Sequence, residues 1–398
     1  MRYIFSIIFC FFILPSFAHN PNDTLVVVPD DSSHLRISIL TCGVGDELYS
    51  SFGHTGIRII DSVRHTDNVY NYGTFDFGDP DFYKKFILGK LPYYLDFGAY
   101  NDFMYEYVDQ KRSVQEQVLN LSAAHKKAFL AYLENNLKPE NRAYKYDFMW
   151  DNCSTRVRDI FPRTLGDEFY FGDILSQKKI TYRNIINQYL INKHWERFGI
   201  DLLLGSPIDT VMSEDGVMFL PDFLHKGLEH AKYKGEHIVS ANNIILNYTH
   251  VYKSVPNGPL WCMIGILILT ALSFLVPAFQ YLKRFMRFVL LFSTGLLGLF
   301  ILFMWLDTDN QGCSNNYNIL WALPLNAFVA FFANKQKFWL RVYALAAISL
   351  LIVALAVHLI GFQQLPLIEL SPLLLAMMYV YVDMYKRNVP VANANKQA

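Results

Sequence analysis

The distribution of apolar residues divides the chain near residue 260. Beyond that point five stretches are almost continuously apolar: Leu260 to Tyr281, Phe288 to Leu306, Ile319 to Ala333, Phe338 to Ile360 and Leu367 to Tyr385. Each approaches the ~20 residues an α-helix needs to cross the hydrocarbon core, so the pattern predicts an all-α transmembrane bundle of about five helices. Pro324 and Asn326 interrupt the third stretch and leave its limits open. Before residue 260 the periodicity is of another kind. Leu35 to Leu40, Gly56 to Ile60 and Val69 to Tyr72 read as short strands with the alternation expected of a half-buried sheet. Ser122 to Leu137 and Tyr182 to Trp195 repeat with the helical period. Residues 35–255 therefore read as a mixed α+β globular domain without an internal repeat.

The amino terminus carries a third pattern. Met1-Arg2-Tyr3 leads into an unbroken apolar run from Ile4 to Leu14, and small residues follow at Ser16 and Ala18. This is the layout of a secretory signal peptide over residues 1–18, cleaved after Ala18. An uncleaved anchor is the other reading, but an apolar core this short barely spans a bilayer. Residues 19–34 form a polar linker, 256–387 the transmembrane domain and 388–398 a tail.

Loop charge orients the bundle. Lys283, Arg284 and Arg287 lie between the first two spans, Lys335, Lys337 and Arg341 between the third and fourth, and Lys386 and Arg387 after the fifth. The alternate loops, Asp307 to Asn318 and Gly361 to Pro366, hold no Lys or Arg. The positive-inside rule then places the carboxy terminus in the cytoplasm and residues 35–255 outside, in agreement with an exported amino terminus.

Composition sharpens this picture. Charged residues make up 18% of the 398, below the ~25% of soluble domains, which points to lipid as one solvent. Lys+Arg and Asp+Glu balance at 35 each, so no basic footprint for nucleic acid exists. Cys10 falls in the signal, and the spacing of Cys42, Cys153, Cys262 and Cys313 fits no zinc pattern. No metal or organic cofactor is implied. Cys42 and Cys313 both fall outside the membrane, where a disulfide between them is conceivable.

Two segments have the residue types of nucleophilic chemistry. In Asp151-Asn152-Cys153-Ser154-Thr155-Arg156, Asp151 or Asn152 can cap a helix whose apolar face runs through Val157, Ile160 and Phe161. Cys153 then sits in the first helical turn, where unpaired amides and the helix dipole favour a thiolate; a buried, inert Cys is the plainer reading. In Ser51-Phe52-Gly53-His54-Thr55-Gly56, His54 stands where a turn enters a strand, placed to act as base and acid for a thiol. His34, His65 and His125 are rivals in less distinctive settings. Asn71, on the following strand, is the choice for a residue that orients His54, with Asp76, Ser51 and Tyr72 as alternatives.

Taken together, Thr41 to Arg58, Tyr70 to Phe77 and Asp151 to Arg156 resemble, in order, the motif blocks of the Lnb-type lipoprotein N-acyltransferases. The resemblance implies a circularly permuted NlpC/P60 papain-like domain, in which the His precedes the Cys, followed by the membrane bundle. It implies Cys153 as nucleophile and His54 as base, with Asn71 carried over by position alone. The implied reaction moves a fatty acyl chain from a phospholipid donor to the amino group of a diacylglyceryl-modified apolipoprotein at the bacterial inner membrane, by way of a Cys thioester. Backbone amides at the start of the Cys153 helix would hold the oxyanion. A membrane-tethered cysteine peptidase or amidase acting on the cell wall is the rival chemistry, and an envelope scaffold the non-enzymatic one. At the outer end of the third span, Asn315 to Asn326 offers clustered amides and Trp321 for headgroups or acceptor, or is simply an interfacial loop with a belt Trp. His358 and Glu369 lie near the outer ends of the last two spans, where snorkelling to water competes with any functional role.

Overall fold

The computed structural model describes residues 32–175, 179–251 and 254–388. The expected signal peptide, most of the linker and the tail beyond Asn388 lie outside the described residues. The extracytoplasmic part is built on an antiparallel sheet of β1 (Leu35–Cys42), β2 (His54–Asp61), β3 (Thr66–Thr74), β4 (Pro92–Ala99), β5 (Val114–Leu119), β6 (Ala143–Lys145) and a late strand, β10 (Val239–Leu246). Their order in space is β10-β5-β1-β2-β3-β4-β6. Phe169–Tyr170, Lys232–Tyr233 and Glu236–His237 (β7 to β9) form a small second sheet.

Alternation along the strands fixes both faces of the sheet. Ile37, Ile39, Ile57, Ile59, Tyr70 and Tyr72 point into the main core. That core is completed by helices α3 (Ala123–Leu137), α5 (Cys153–Leu165), α6 (Tyr182–Tyr189) and α9 (Pro221–His230). Leu40, Cys42 and Val69 face the other way, onto Met104 and Tyr107 of α2 (Tyr100–Asp109). Short helices α1 (Phe82–Ile87), α4 (Pro139–Arg142) and α8 (Glu214–Val217) complete the domain.

The expected helix from Tyr182 to Trp195 is instead two, α6 and α7 (His194–Leu203), with a reversal between them. The cause is Arg183. Its buried guanidinium on α6 bonds Asp201 on α7 (2.9 Å), the carbonyl of Leu204 (2.9 Å) and Asp209 (2.9 Å). A straight helix would carry Asp201 away from it.

Among the described residues four helical segments are long and apolar enough to cross a membrane: Gly258–Leu275, Pro277–Leu306, Phe338–Leu359 and Leu367–Arg387. They correspond to α10 (Gly258–Leu275), α11 (Gln280–Leu306), α13 (Phe338–Leu359) and α14 (Leu367–Arg387). The expected third helix, Ile319 to Ala333, is not continuous. It is a 3-10 turn at Tyr317–Leu320, irregular turns, and a four-residue helix α12 (Asn326–Val329). The segment still runs from one end of the bundle to the other. Asn316 bonds carbonyls of α7 at 2.9 Å, whereas Asn334 accepts from Arg287 near the opposite end of α11 at 2.5 Å.

Irregular backbone at membrane depth survives only where protein encloses it, and α11 supplies the enclosure. A Cβ on Gly298 would stand 1.9 Å from the Ala322 carbonyl, and one on Gly295 would stand 2.0 Å from the Ala327 amide. Asn326 is fully buried and satisfied, donating to Tyr381 Oη (2.8 Å) and accepting from Tyr343 Oη (2.7 Å). Gly298→Ala is accordingly expected to cost about 1–3 kcal/mol by overpacking. Gly265→Ala on α10, where a Cβ meets nothing within 4 Å, should be neutral or slightly stabilising. Thermal unfolding of the two variants in the same detergent checks this.

Candidate active site

Cys153 opens α5 as its first helical residue, and the cap beneath it is Asn152 rather than Asp151. Asn152 Oδ1 accepts from the amides of Ser154 (2.8 Å) and Thr155 (2.9 Å), and Thr155 Oγ1 accepts from the Asn152 amide (2.7 Å). The same side chain donates from Nδ2 to the carbonyls of Phe148 (2.6 Å) and Phe219 (2.8 Å). It thus pins the helix start to two distant loops. Asp151 instead forms a two-pronged ion pair with Arg156, at 2.6 and 2.7 Å.

His54 is the first residue of β2, and Asn71 lies on the neighbouring strand β3. The β2–β3 register pairs Ile57 with Tyr70. By the two-residue alternation, His54 and Asn71 leave the sheet on the same face. His54 Nε2 is hydrogen-bonded to Asn71 Oδ1. His54 also faces the Cys153 thiol, close enough for each to act on the other's titration by charge and hydrogen bonding, and the Thr55 backbone amide acts on the thiol in the same sense. With Nε2 committed to Asn71, Nδ1 is the ring nitrogen left for sulfur. Ser154 stands beside the thiol, its Oγ 4.0 Å from Sγ and 2.9 Å from Thr55 Oγ1. Cys153, His54 and Asn71 are thus brought together, with the thiol at a helix start and its partners on adjacent strands, the His preceding the Cys along the chain.

The electrostatics follow from this packing. Burial alone would push the Cys153 thiol up; the His54 charge and hydrogen bond, the Thr55 amide and Ser154 together hold it below its ordinary value. For His54, burial disfavours the cation, but the Cys153 charge and hydrogen bond and the Asn71 bond outweigh it and raise the ring's basicity. The two shifts favour a thiolate–imidazolium pair. Two other buried thiols show what happens without such a partner: burial pushes Cys42 up to about 12 and Cys313 up to about 11.

The other candidates are placed elsewhere. Ser51 Oγ donates to the Glu47 carbonyl within its own turn (2.9 Å), and Asp76 accepts from the Gly78 amide in an exposed loop (2.7 Å). Tyr72 is buried in the main core against Tyr144. His34 faces Asp61, at the far end of β2, seven residues along the strand from His54, roughly 23 Å away. His65 lies in the β2–β3 turn and His125 at the start of α3. Cys42 and Cys313 are unpaired, one on β1 and the other in a 3-10 turn above α11, so the conceivable disulfide is absent.

Three further expectations are corrected. Amides at the start of α5 are not generally free for an oxyanion, because Ser154 and Thr155 are held by Asn152; the Cys153 N–H is the one left. The Asn315 to Asn326 segment is neither a headgroup site nor a belt. Asn316, Asn318, Asn326 and Trp321 are buried, and Trp321 Nε1 donates to Asn318 Oδ1 at 2.8 Å. Glu369 does not snorkel but pairs with Arg197 and accepts from Asn257 (2.9 Å), and His358 Nδ1 accepts from the Leu365 amide (2.9 Å).

The thiol opens onto a cavity of about 650 Å³ that no single stretch of sequence announces. Its walls join Phe52, Tyr146 and Phe148 of the soluble domain to Phe300 and Met304 near the outer end of α11. Gly73, at φ +96°, brings the β3 backbone alongside, and a Cβ there would meet Cys153 Cβ at 3.8 Å. Phe75, Phe86, Ile87, Ile200, Leu203 and Leu204 make most of the remaining lining apolar. Among the described residues no group of three or more His, Cys, Asp or Glu side chains is disposed to hold a metal.

Residues 29–188 match the family model of the Lnb N-terminal periplasmic domain, and residues 253–388 match that of the Lnb transmembrane domain. The chain belongs to the Lnb family. It is therefore a membrane protein with an amino-terminal periplasmic domain, in a family associated with lipoprotein N-acylation. No curated protein and no solved structure matches it. Within this Lnb chain, the two matched regions meet at the cavity over Cys153.

The pair of shifts gives a definite pH dependence. The lowered thiol keeps its anion until pH falls through its own titration, and the raised imidazole keeps its cation until pH rises through its titration. The ion pair fills the window between, and both limbs belong to the pair rather than to either residue. Iodoacetamide labelling of Cys153, followed by mass spectrometry across pH, should therefore persist below the ordinary thiol range of about 8.5. In His54→Ala the acid limb should move to that range or above it.

Proposed function

We propose that this Lnb-family chain moves a fatty acyl group from a phospholipid to the α-amino group of a diacylglyceryl-modified lipoprotein cysteine, through a thioester on Cys153. The observation that carries the reading is a thiol paired with His54 and Asn71 that opens onto an apolar cavity walled partly by a transmembrane helix. Its volume lies within the roughly 300–1,000 Å³ of ligand-binding cavities. An apolar wall suits an acyl chain, whereas a cell-wall peptide or glycan would need polar groups along it. That difference sets the tethered peptidase or amidase aside.

In the first half-reaction the Cys153 thiolate attacks the ester carbonyl of the donor, with the Cys153 N–H placed to meet the oxyanion. Collapse breaks the ester C–O bond. The His54 imidazolium gives its proton to the departing lysophospholipid oxygen, leaving acyl-Cys153. In the second, the acceptor amine attacks the thioester, neutral His54 takes the amine proton, and collapse breaks the C–S bond, releasing the N-acylated product and restoring the imidazolium–thiolate pair on the enzyme. Asn71 keeps the imidazole oriented through both steps. The cavity holds water away from the thioester between them. Loop charge supports an inner-membrane placement with the carboxy terminus in the cytoplasm, which sets Cys153 at the outer leaflet.

Expression in a strain lacking its own N-acylating enzyme tests this, with lipoprotein amino termini read by mass spectrometry. Wild type should N-acylate, and a fatty acyl adduct should be trapped on Cys153. Cys153→Ala should abolish transfer, His54→Ala should lower it by about 10²–10⁴-fold, and Asn71→Ala should lower it less. Free amino termini with the wild-type protein would sink the proposal, and undiminished transfer by Cys153→Ala would sink the mechanism.

A further inference from the structure

Between β3 and β4 the chain leaves the sheet for a segment whose apolar side chains face outward. Helix α1 has no buried residue at all. Phe77 is 78% exposed and Tyr83 79%, while Phe86 is 56% exposed. These rings are not scattered. Phe75, Phe77 and Phe82 pack on one another with centroids 4.6 to 5.6 Å apart, and Phe82 stacks on Phe86 at 6.2 Å. A preformed aromatic cluster held open to water is unfavourable unless something covers it.

What covers it is set by where the segment is tied down. The Leu88 carbonyl accepts from the Asp309 amide (2.9 Å) and the Ile87 carbonyl from Asn310 Nδ2 (2.8 Å). Asp309 and Asn310 follow the outer end of α11 at Leu306, so the cluster is fastened at the membrane surface. Phe86 and Ile87 then share the cavity wall with Phe300, six residues or about 9 Å inside that helix end. Lys84 and Lys90 flank the rings and are exposed, whereas Lys85 is held by Asp79 (2.5 Å). Aromatic rings with cations beside them are the side chains that settle at a membrane interface.

We propose that residues 75–91 insert their aromatic cluster into the outer leaflet beside α11 and form the port through which a phospholipid acyl chain passes from the bilayer to the cavity over Cys153. The insertion stands on exposure and position alone; the port rests on the function proposed above.

The test uses the full-length protein in nanodiscs containing a phospholipid with a diazirine in its acyl chain, photolysed and mapped by mass spectrometry. Adducts are expected on the peptide spanning Phe77 to Phe86 as well as on the spans. The exposed pair Phe77→Asp/Tyr83→Asp should lose those adducts and slow acyl transfer from vesicle phospholipid about tenfold. Transfer from a short-chain donor that is monomeric in water should be unchanged. Phe77→Trp/Tyr83→Trp should retain both, which separates insertion from folding. Adducts confined to the spans would overturn the proposal. Equal slowing with both donors would overturn the port and point instead to contact with the lipoprotein acceptor. Labelling of residues 77–86 in a protein that transfers no acyl group would uphold the insertion while the proposed reaction failed.

Discussion

A thiolate buried at the junction of two domains is tolerable only if a cation is buried with it. Unpaired charge in such a setting costs several kcal/mol, and the protein would neutralise the thiol instead, as it does at Cys42 and Cys313. The local structure around Cys153 can be understood as the means of holding its cation in place. His54 is fixed by the β1–β2 register and by Asn71 on the next strand. The thiol is fixed by the Asn152 cap, whose amide also grips the Phe148 and Phe219 carbonyls. Because Asn152 consumes two first-turn amides, the helix start is not a general anion site. It is rigid scaffolding that leaves one donor beside the sulfur.

The same requirement for position extends to the membrane domain. The soluble domain is joined to the bundle by directional polar contacts, not by a loose tether. Asn316 and Asn318 donate to the Leu202 carbonyl, at 2.9 and 3.1 Å, and Arg197 pairs with Glu369 at the outer end of α14. Gly205 N–H donates to the Gly312 carbonyl (2.8 Å), and Asn184 to Gln364 (3.1 Å). These bonds fix α7 over the bundle, and α7 with α11 walls the cavity. Buried amides are costly when unpaired and specific when paired, so the asparagines set the register between domains.

How much of this the sequence discloses depends on whether the determinant is local. The apolar runs of α10, α11, α13 and α14 are local, as is the Asn152-x-x-Thr155 capping box. His54 and Asn71 are nearly so, because strand alternation places them together once two adjacent strands are recognised. The edge strand β10 buries none of its side chains on either face, so its sequence carries no alternation and was not legible. The third crossing has the apolar length of a helix but not its continuity. Its path is decided by Gly295 and Gly298 on another helix, some thirty residues earlier. Likewise the asparagines at 316, 318 and 326 look like a surface cluster until their carbonyl and hydroxyl partners are known. The cavity was beyond reach, since its walls come from segments as far apart as Leu48 and Cys313.

This distribution of work bears on why the bundle has several crossings. A domain that only needed to stay near the membrane would be held by one helix and a flexible linker, and its active site would close on itself. Here the site does not close without the bundle: Phe300 and Met304 are part of the wall around Cys153. The proposed thioester would be exposed to hydrolysis for as long as it waited for an amine, so the proposed reaction gains most from a wall that water cannot cross. In the proposed reaction, a wall made from a helix already in lipid would keep water out and admit acyl chains with the same surface. The broken third crossing fits this arrangement. It packs its backbone into the glycine face of α11, lending rigidity to the helix whose outer end completes the site.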